Sequence, residues 1–194
     1  MIARAALSLG LLVLLTSNVA LAHTGHGVSA TLASGFLHPL TGLDHLLAMV
    51  AVGIWAAQIG GRALYALPAA FLSVMLIGGH LGMSGLALPA VESMIVGSVL
   101  MLGAAIALGR PLPWSLASAV VGGFALFHGF AHGAEMPAAA TAATYGVGFL
   151  LATAALHGLG IGIGLALERL AARPLLLRSA GAAVLVCGLG LMLR

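Results

Sequence analysis

Charge is nearly absent from this chain, and that scarcity constrains its fold more than any other feature. The 194 residues carry seven basic and four acidic side chains, while 62% are hydrophobic. A water-facing globule keeps roughly a quarter of its residues charged, so this sequence has too few to cover one. Its apolar residues must face lipid, and the unit to look for is a stretch of about 20 apolar residues, enough to cross a bilayer. The net charge of +3 does not point to nucleic acid, since the basic residues are all arginines, with no basic stripe and no interleaved aromatics. The single cysteine, Cys187, excludes a disulfide framework and a Cys-based zinc site. It reads as a buried, inert small residue.

Punctuation divides the chain into a leader and six spans, an all-α transmembrane bundle. Residues 1–22 have the form of a secretory signal: Arg4, a Leu-rich stretch from Leu7 to Leu15, and the cleavage triplet Ala20-Leu21-Ala22. The alternative is an uncleaved seventh helix, for which the apolar stretch is short. Cleavage makes residues 23–194 a single domain beginning at His23, outside the cytoplasm. Glycine- and proline-rich breaks then predict spans from Pro39 to Ile59, Ala63 to Leu81, Ala90 to Leu108, Trp114 to Gly133, Ala140 to Leu167 and Pro174 to Leu193.

The arginines agree with that orientation. With the mature N-terminus outside, Arg62, Arg110, Arg169, Arg173 and Arg178 all fall on the cytoplasmic side, and only the terminal Arg194 lies outside. This is the positive-inside arrangement, and it places the protein in a bacterial inner membrane. Gly78-Gly82, Gly158-Gly162 and Gly160-Gly164 have the small-xxx-small spacing that lets helices pack closely in lipid.

Against this background, eight histidines and four acids stand out. Ionisable groups inside spans cost about 2.5–3.5 kcal/mol each on insertion scales, so they are retained for function. One cluster, His38-Pro39-Leu40-Thr41-Gly42-Leu43-Asp44-His45, opens the first span. His38 and His45 are seven apart, so both point the same way on a continuous helix. Pro39 suits a first helical turn and pushes His38 toward an extended conformation. Asp44 either binds from the side or orients a histidine as an outer acceptor.

A second cluster closes the fourth span, where His128, His132 and Glu135 stand at i, i+4 and i+7 on one helix face. Two imidazoles at i, i+4 grip a transition metal. A carboxylate on the same stripe makes an N/O site suited to nickel, cobalt or zinc rather than soft copper(I). The topology puts both clusters in the periplasmic half of the membrane. His80 and Glu92 lie at the same level, either as further metal stations or as solvated interface residues. His157 lies deeper, as an inner station or a polar contact between helices. His23 and His26 are either a chelate with the new α-amine or part of a polar tail.

The two clusters resemble the signatures of the HupE/UreJ family. The matching residues are His38-Pro39-x-x-Gly42-x-Asp44-His45-x-x-Ala48-Met49-x-x-Val52-Gly53 and Phe127-His128-Gly129-x-Ala131-His132-Gly133-x-Glu135. The resemblance covers the whole chain. It implies six helices and uptake of nickel, with cobalt as the related cargo, in the service of hydrogenase or urease. The motif residues are then the metal-binding candidates, and the ion is a transported substrate with no prosthetic group. The sequence holds no Gly-x-x-x-x-Gly-Lys phosphate loop and no soluble domain for a nucleotide, which leaves a secondary carrier or facilitated pathway. A helix broken at His38-Pro39 fits carrier architecture.

Two other classes compete. A membrane metalloenzyme would hold a fixed metal with an open coordination position, and a bis-histidine haem protein would need opposed histidines at matching depth. Nothing in the sequence sets the oligomeric state.

Overall fold

The computed structural model describes residues 31–136, 142–170 and 173–193. The expected leader, its cleavage triplet, His23 and His26 lie outside these residues. Among the described residues the secondary structure is entirely helical. The helices are α1 (Leu32–Thr41), α2 (Leu43–Ile59), α3 (Ala63–Met83), α4 (Val91–Leu108), α5 (Trp114–Ala134), α6 (Ala142–Glu168) and α7 (Arg173–Met192). Five, α3 to α7, are long and apolar enough to span a membrane alone, and α1 with α2, bent by 89° at their junction, pass the same test only as a pair, which gives five to six candidate spans. The chain is therefore a multi-pass membrane protein. Leu76, Ile77, Leu116, Leu151, Leu159 and Val186 point outward from the bundle, where an apolar surface is matched to lipid.

The break in the first span corrects the sequence-based expectation. Pro39 does not open the helix or hold His38 extended; both residues lie inside α1, which begins at Leu32, seven residues before Pro39, and ends at Thr41. Proline's missing N–H costs one hydrogen bond near the end of a short helix, which is tolerable there. The interruption falls at Gly42, whose extended backbone (φ −94°, ψ 118°) is at once the C-cap of α1 and the N-cap of α2. The Thr41 hydroxyl donates to the His38 carbonyl at 2.7 Å, and Leu46 N–H closes the first turn of α2 on the Gly42 carbonyl. At its other end α1 is held by a capping box, in which Thr31 and Ser34 bond each other's backbone N–H.

Glycine sets how closely the helices approach. A Cβ at Gly129 would overlap the Met75 carbonyl oxygen, one at Gly133 the Gly79 carbonyl oxygen, and one at Gly78 the Leu126 carbonyl oxygen. α3 and α5 thus run side by side in parallel with their backbones in contact. Gly53 and Gly160 do the same for α2 and α6, and Gly103 and Gly181 for α4 and α7. Of the small-residue pairs picked from the sequence, Gly78-Gly82 and Gly160-Gly164 lie in such contacts. Gly158 and Gly162 face open space. Cys187 is half-buried rather than fully enclosed. The fully buried centre is built from Met49, Trp55, Leu67, Phe71, Val99 and Ile106, and Phe71 meets the histidines His128 and His157.

Candidate metal site

Three helices, α1, α2 and α5, bring their histidines to one column. α5 lays its glycine edge, Gly129 and Gly133, on α3. The same helix twist turns His128 and His132 away from that seam toward α1, α2, α4 and α6, and the two are 0% and 7% exposed. The bend at Gly42 does the complementary work. It carries His38 on α1 and His45 on α2 to different heights along the α5 stripe, so the two imidazoles meet His132 from two directions.

The contacts run in sequence from the surface inward. His38 Nε2 lies 3.7 Å from the Glu135 carboxylate, with both side chains partly exposed. The His38 and His132 rings are 4.8 Å apart, His132 and His45 are 4.2 Å apart, and His45 and His128 are 4.8 Å apart. Below His128 the Phe71 ring lies at 5.6 Å, and it touches His157 at 5.0 Å on its other side. Phe149 packs against His132 at 4.2 Å with the rings tilted by 52°, and Tyr145 edges His38 at 5.8 Å. The polar path is thus walled by aromatic rings and interrupted once, by Phe71.

The outermost station has the composition of a metal site. Ligand atoms of His38, His132 and Glu135 lie within 4.8 Å of one another. Ligands on opposite sides of an ion with bonds of about 2.1 Å are about 4.2 Å apart, so small side-chain movements close this triad on a dication. One step inward, Asp44 Oδ1 accepts from both the backbone N–H and the Nδ1 of His45, each at 2.8 Å. A carboxylate only accepts, so His45 carries its proton on Nδ1 and keeps the Nε2 lone pair for another partner. Asp44 thereby fixes the orientation of the His45 ring.

The fold itself leaves these rings unsatisfied. His45 Nε2, His128 Nδ1 and both ring nitrogens of His132 and of His157 are buried without a hydrogen-bond partner. Leaving such a group unpaired costs about 1–3 kcal/mol, and a bundle held by backbone bonds and apolar contacts gains nothing from six of them. These ring nitrogens are donors and acceptors that the protein's own groups do not use.

The remaining candidates sit apart from the column in different ways. His80 is exposed at the end of α3, and lines with His132, Met75, Met83, Met136 and Tyr145 a cavity of about 120 Å³ between α3, α5 and α6. Glu92 is exposed in the first turn of α4. His157 is buried, 1% exposed, and joins the column only through Phe71. Sequence reasoning missed Phe71, Tyr145, Phe149 and Ser98, because one more aromatic or serine in an apolar helix carries no signal of its own.

Comparison with known proteins adds a family to this geometry. The profile described as HupE / UreJ protein matches residues 11–191. Protein HupE of Rhizobium leguminosarum bv. viciae is 47% identical over 175 residues, which cover 90% of this chain and 91% of the relative. No solved structure matches.

Proposed function

Because the chain belongs to the HupE/UreJ family, we propose that it is a permease that carries a divalent transition metal into the cell across the bacterial inner membrane. Nickel is the proposed cargo, delivered for hydrogenase or urease maturation, and cobalt, with the same ligand preference, is its competitor. The observation that carries this reading is the column itself. His38, His132, His45 and His128 follow one another at ring separations of 4.2 to 4.8 Å inside a membrane bundle.

The chemistry follows from the donor set. Imidazole and carboxylate without thiolate favour nickel, cobalt and zinc over magnesium and calcium, which prefer shells made of oxygen alone. Ligands spread along a path, not gathered around one point, suit an ion that is passed on. Each station binds well enough to admit the ion and weakly enough to release it. A fixed metalloenzyme centre would want its ligands closed around one position with an open site for substrate. In the proposed orientation Glu135 and His38 face the periplasm and gather the ion, His132 and His45 take it inward, and His128 hands it toward Phe71. The discontinuity at Gly42 puts the start of α2 beside this path, as in carriers whose broken helices frame a site in the membrane.

Uptake of radioactive nickel tests the reading in cells that lack other nickel importers. Expression of the chain should restore accumulation, a large excess of Mg²⁺ should leave it nearly unchanged, and Co²⁺ should compete at concentrations comparable to nickel. Loss of uptake at comparable Mg²⁺ would exclude a nitrogen-rich site.

A further inference from the structure

Ser98 stands on α4, outside both histidine motifs, yet its side chain reaches the column. Its Oγ lies 2.6 Å from the Ile95 carbonyl oxygen and 2.9 Å from His128 Nε2. Ser98 and His128 are 1% and 0% exposed. Two oxygens at 2.6 Å repel unless a proton lies between them. A carbonyl has none to give, so the hydroxyl proton points at Ile95.

A serine hydroxyl has one proton and two lone pairs. With its proton committed to Ile95, Ser98 meets His128 only as an acceptor, and the proton of that second bond must come from the imidazole. We infer that Ser98 is a positioning residue, which holds His128 as the Nε2–H tautomer and thereby reserves the Nδ1 lone pair for the metal cargo. His128 Nδ1 is the buried atom without a hydrogen-bond partner, which is the arrangement this tautomer requires. Asp44 does the mirror-image work on His45, holding the proton on Nδ1 and freeing Nε2. Two neighbouring imidazoles at 4.8 Å thus present opposite ring nitrogens, each fixed by an outer partner. A helix whose ligand ring were free to exchange tautomers would offer an N–H to an arriving cation part of the time.

The identity of the cargo rests on the permease reading; the tautomer does not. The test therefore has two readouts on the full chain in lipid nanodiscs. Nitrogen-15 NMR of labelled histidine, without metal, distinguishes protonated from bare ring nitrogens, with His128→Ala identifying the His128 signals. Titration with Ni²⁺ alone then gives the affinity. Wild-type protein should show His128 as the single Nε2–H form. Ser98→Ala should give mixed or Nδ1–H His128 and bind nickel about 10–100-fold more weakly, the usual loss when an outer partner of a metal-binding histidine is removed. Ser98→Thr, which keeps the hydroxyl, should retain both wild-type values. An Nδ1–H His128 in the wild-type protein, or an unchanged affinity in Ser98→Ala, overturns the inference. Wild-type protein that shows the expected tautomer but binds no nickel overturns the permease reading instead.

Discussion

His132→Ala is expected to cut nickel uptake by more than tenfold while leaving the protein in the membrane at normal abundance, and His128→Ala to do the same. His132 is the residue the others converge on: it contacts His38, His45 and Phe149, and belongs to the outer triad with His38 and Glu135. An ion that has shed water at such a station depends on each of a few ligands. Removal of even an outer partner typically costs about 10–100-fold in metal affinity, so loss of the ligand itself should cost at least as much. Stability moves differently. Both ring nitrogens of His132 are buried without a partner, so truncation removes a polar burden while backbone bonds and apolar contacts still hold the helix. Met94→Ala serves as the control, since Met94 lies on α4 and is only partly buried; it should keep transport. Uptake and membrane abundance, measured together for the three variants, check the prediction. Normal uptake at normal abundance in both histidine variants would make the paired imidazoles structural.

Gly129→Ala should fail in the opposite way, by loss of the folded protein. A single methyl there would overlap the Met75 carbonyl oxygen and stand 2.9 Å from the Gly79 nitrogen. These are backbone atoms of a rigid helix, so no side-chain rotation relieves the overlap and α3 and α5 must separate. Overpacking of a fitted core costs about 1–3 kcal/mol, and occasionally more. Here the displacement also drags the His128–His132 stripe away from His38 and His45. Gly158→Ala is the matched comparison, because a Cβ at Gly158 meets nothing within 4 Å, and replacing a helical glycine by alanine is otherwise favourable. Thermal stability and abundance in membranes should fall sharply for Gly129→Ala and hold for Gly158→Ala. Equal tolerance of both would mean that α3 and α5 are not in backbone contact.

The same contrast shows where the sequence was informative. The last five spans were legible to within a few residues, because hydropathy and the Gly/Pro/Arg breaks at Gly60-Gly61-Arg62 and Gly109-Arg110-Pro111 act locally, whereas the first starts seven residues earlier than expected and is bent. The i, i+4, i+7 register of His128, His132 and Glu135 was legible for the same reason: it depends on helix geometry alone. Which face of a helix points inward was not. In water an amphipathic stripe marks the buried side, but a helix in lipid is apolar all round, so Gly158-Gly162 looked as much like a packing seam as Gly78-Gly82. The break at Gly42 was hidden behind Pro39, the stronger breaker in general. Its weakness here comes from its place in the last turn of α1, where few hydrogen bonds remain to lose. Ser98 and Phe71 were invisible, since each draws its meaning from a partner on another helix.

Whether the column conducts a metal dication is tested most directly by reconstitution. Purified protein in vesicles enclosing a nickel-sensitive dye should admit Ni²⁺ added outside, with protein-free vesicles and vesicles holding His132→Ala showing only background leak. Wild-type vesicles should show a clear influx that Co²⁺ competes away and excess Mg²⁺ does not. Influx no faster in wild-type vesicles than in those holding His132→Ala, at equal protein content, would contradict conduction by the column.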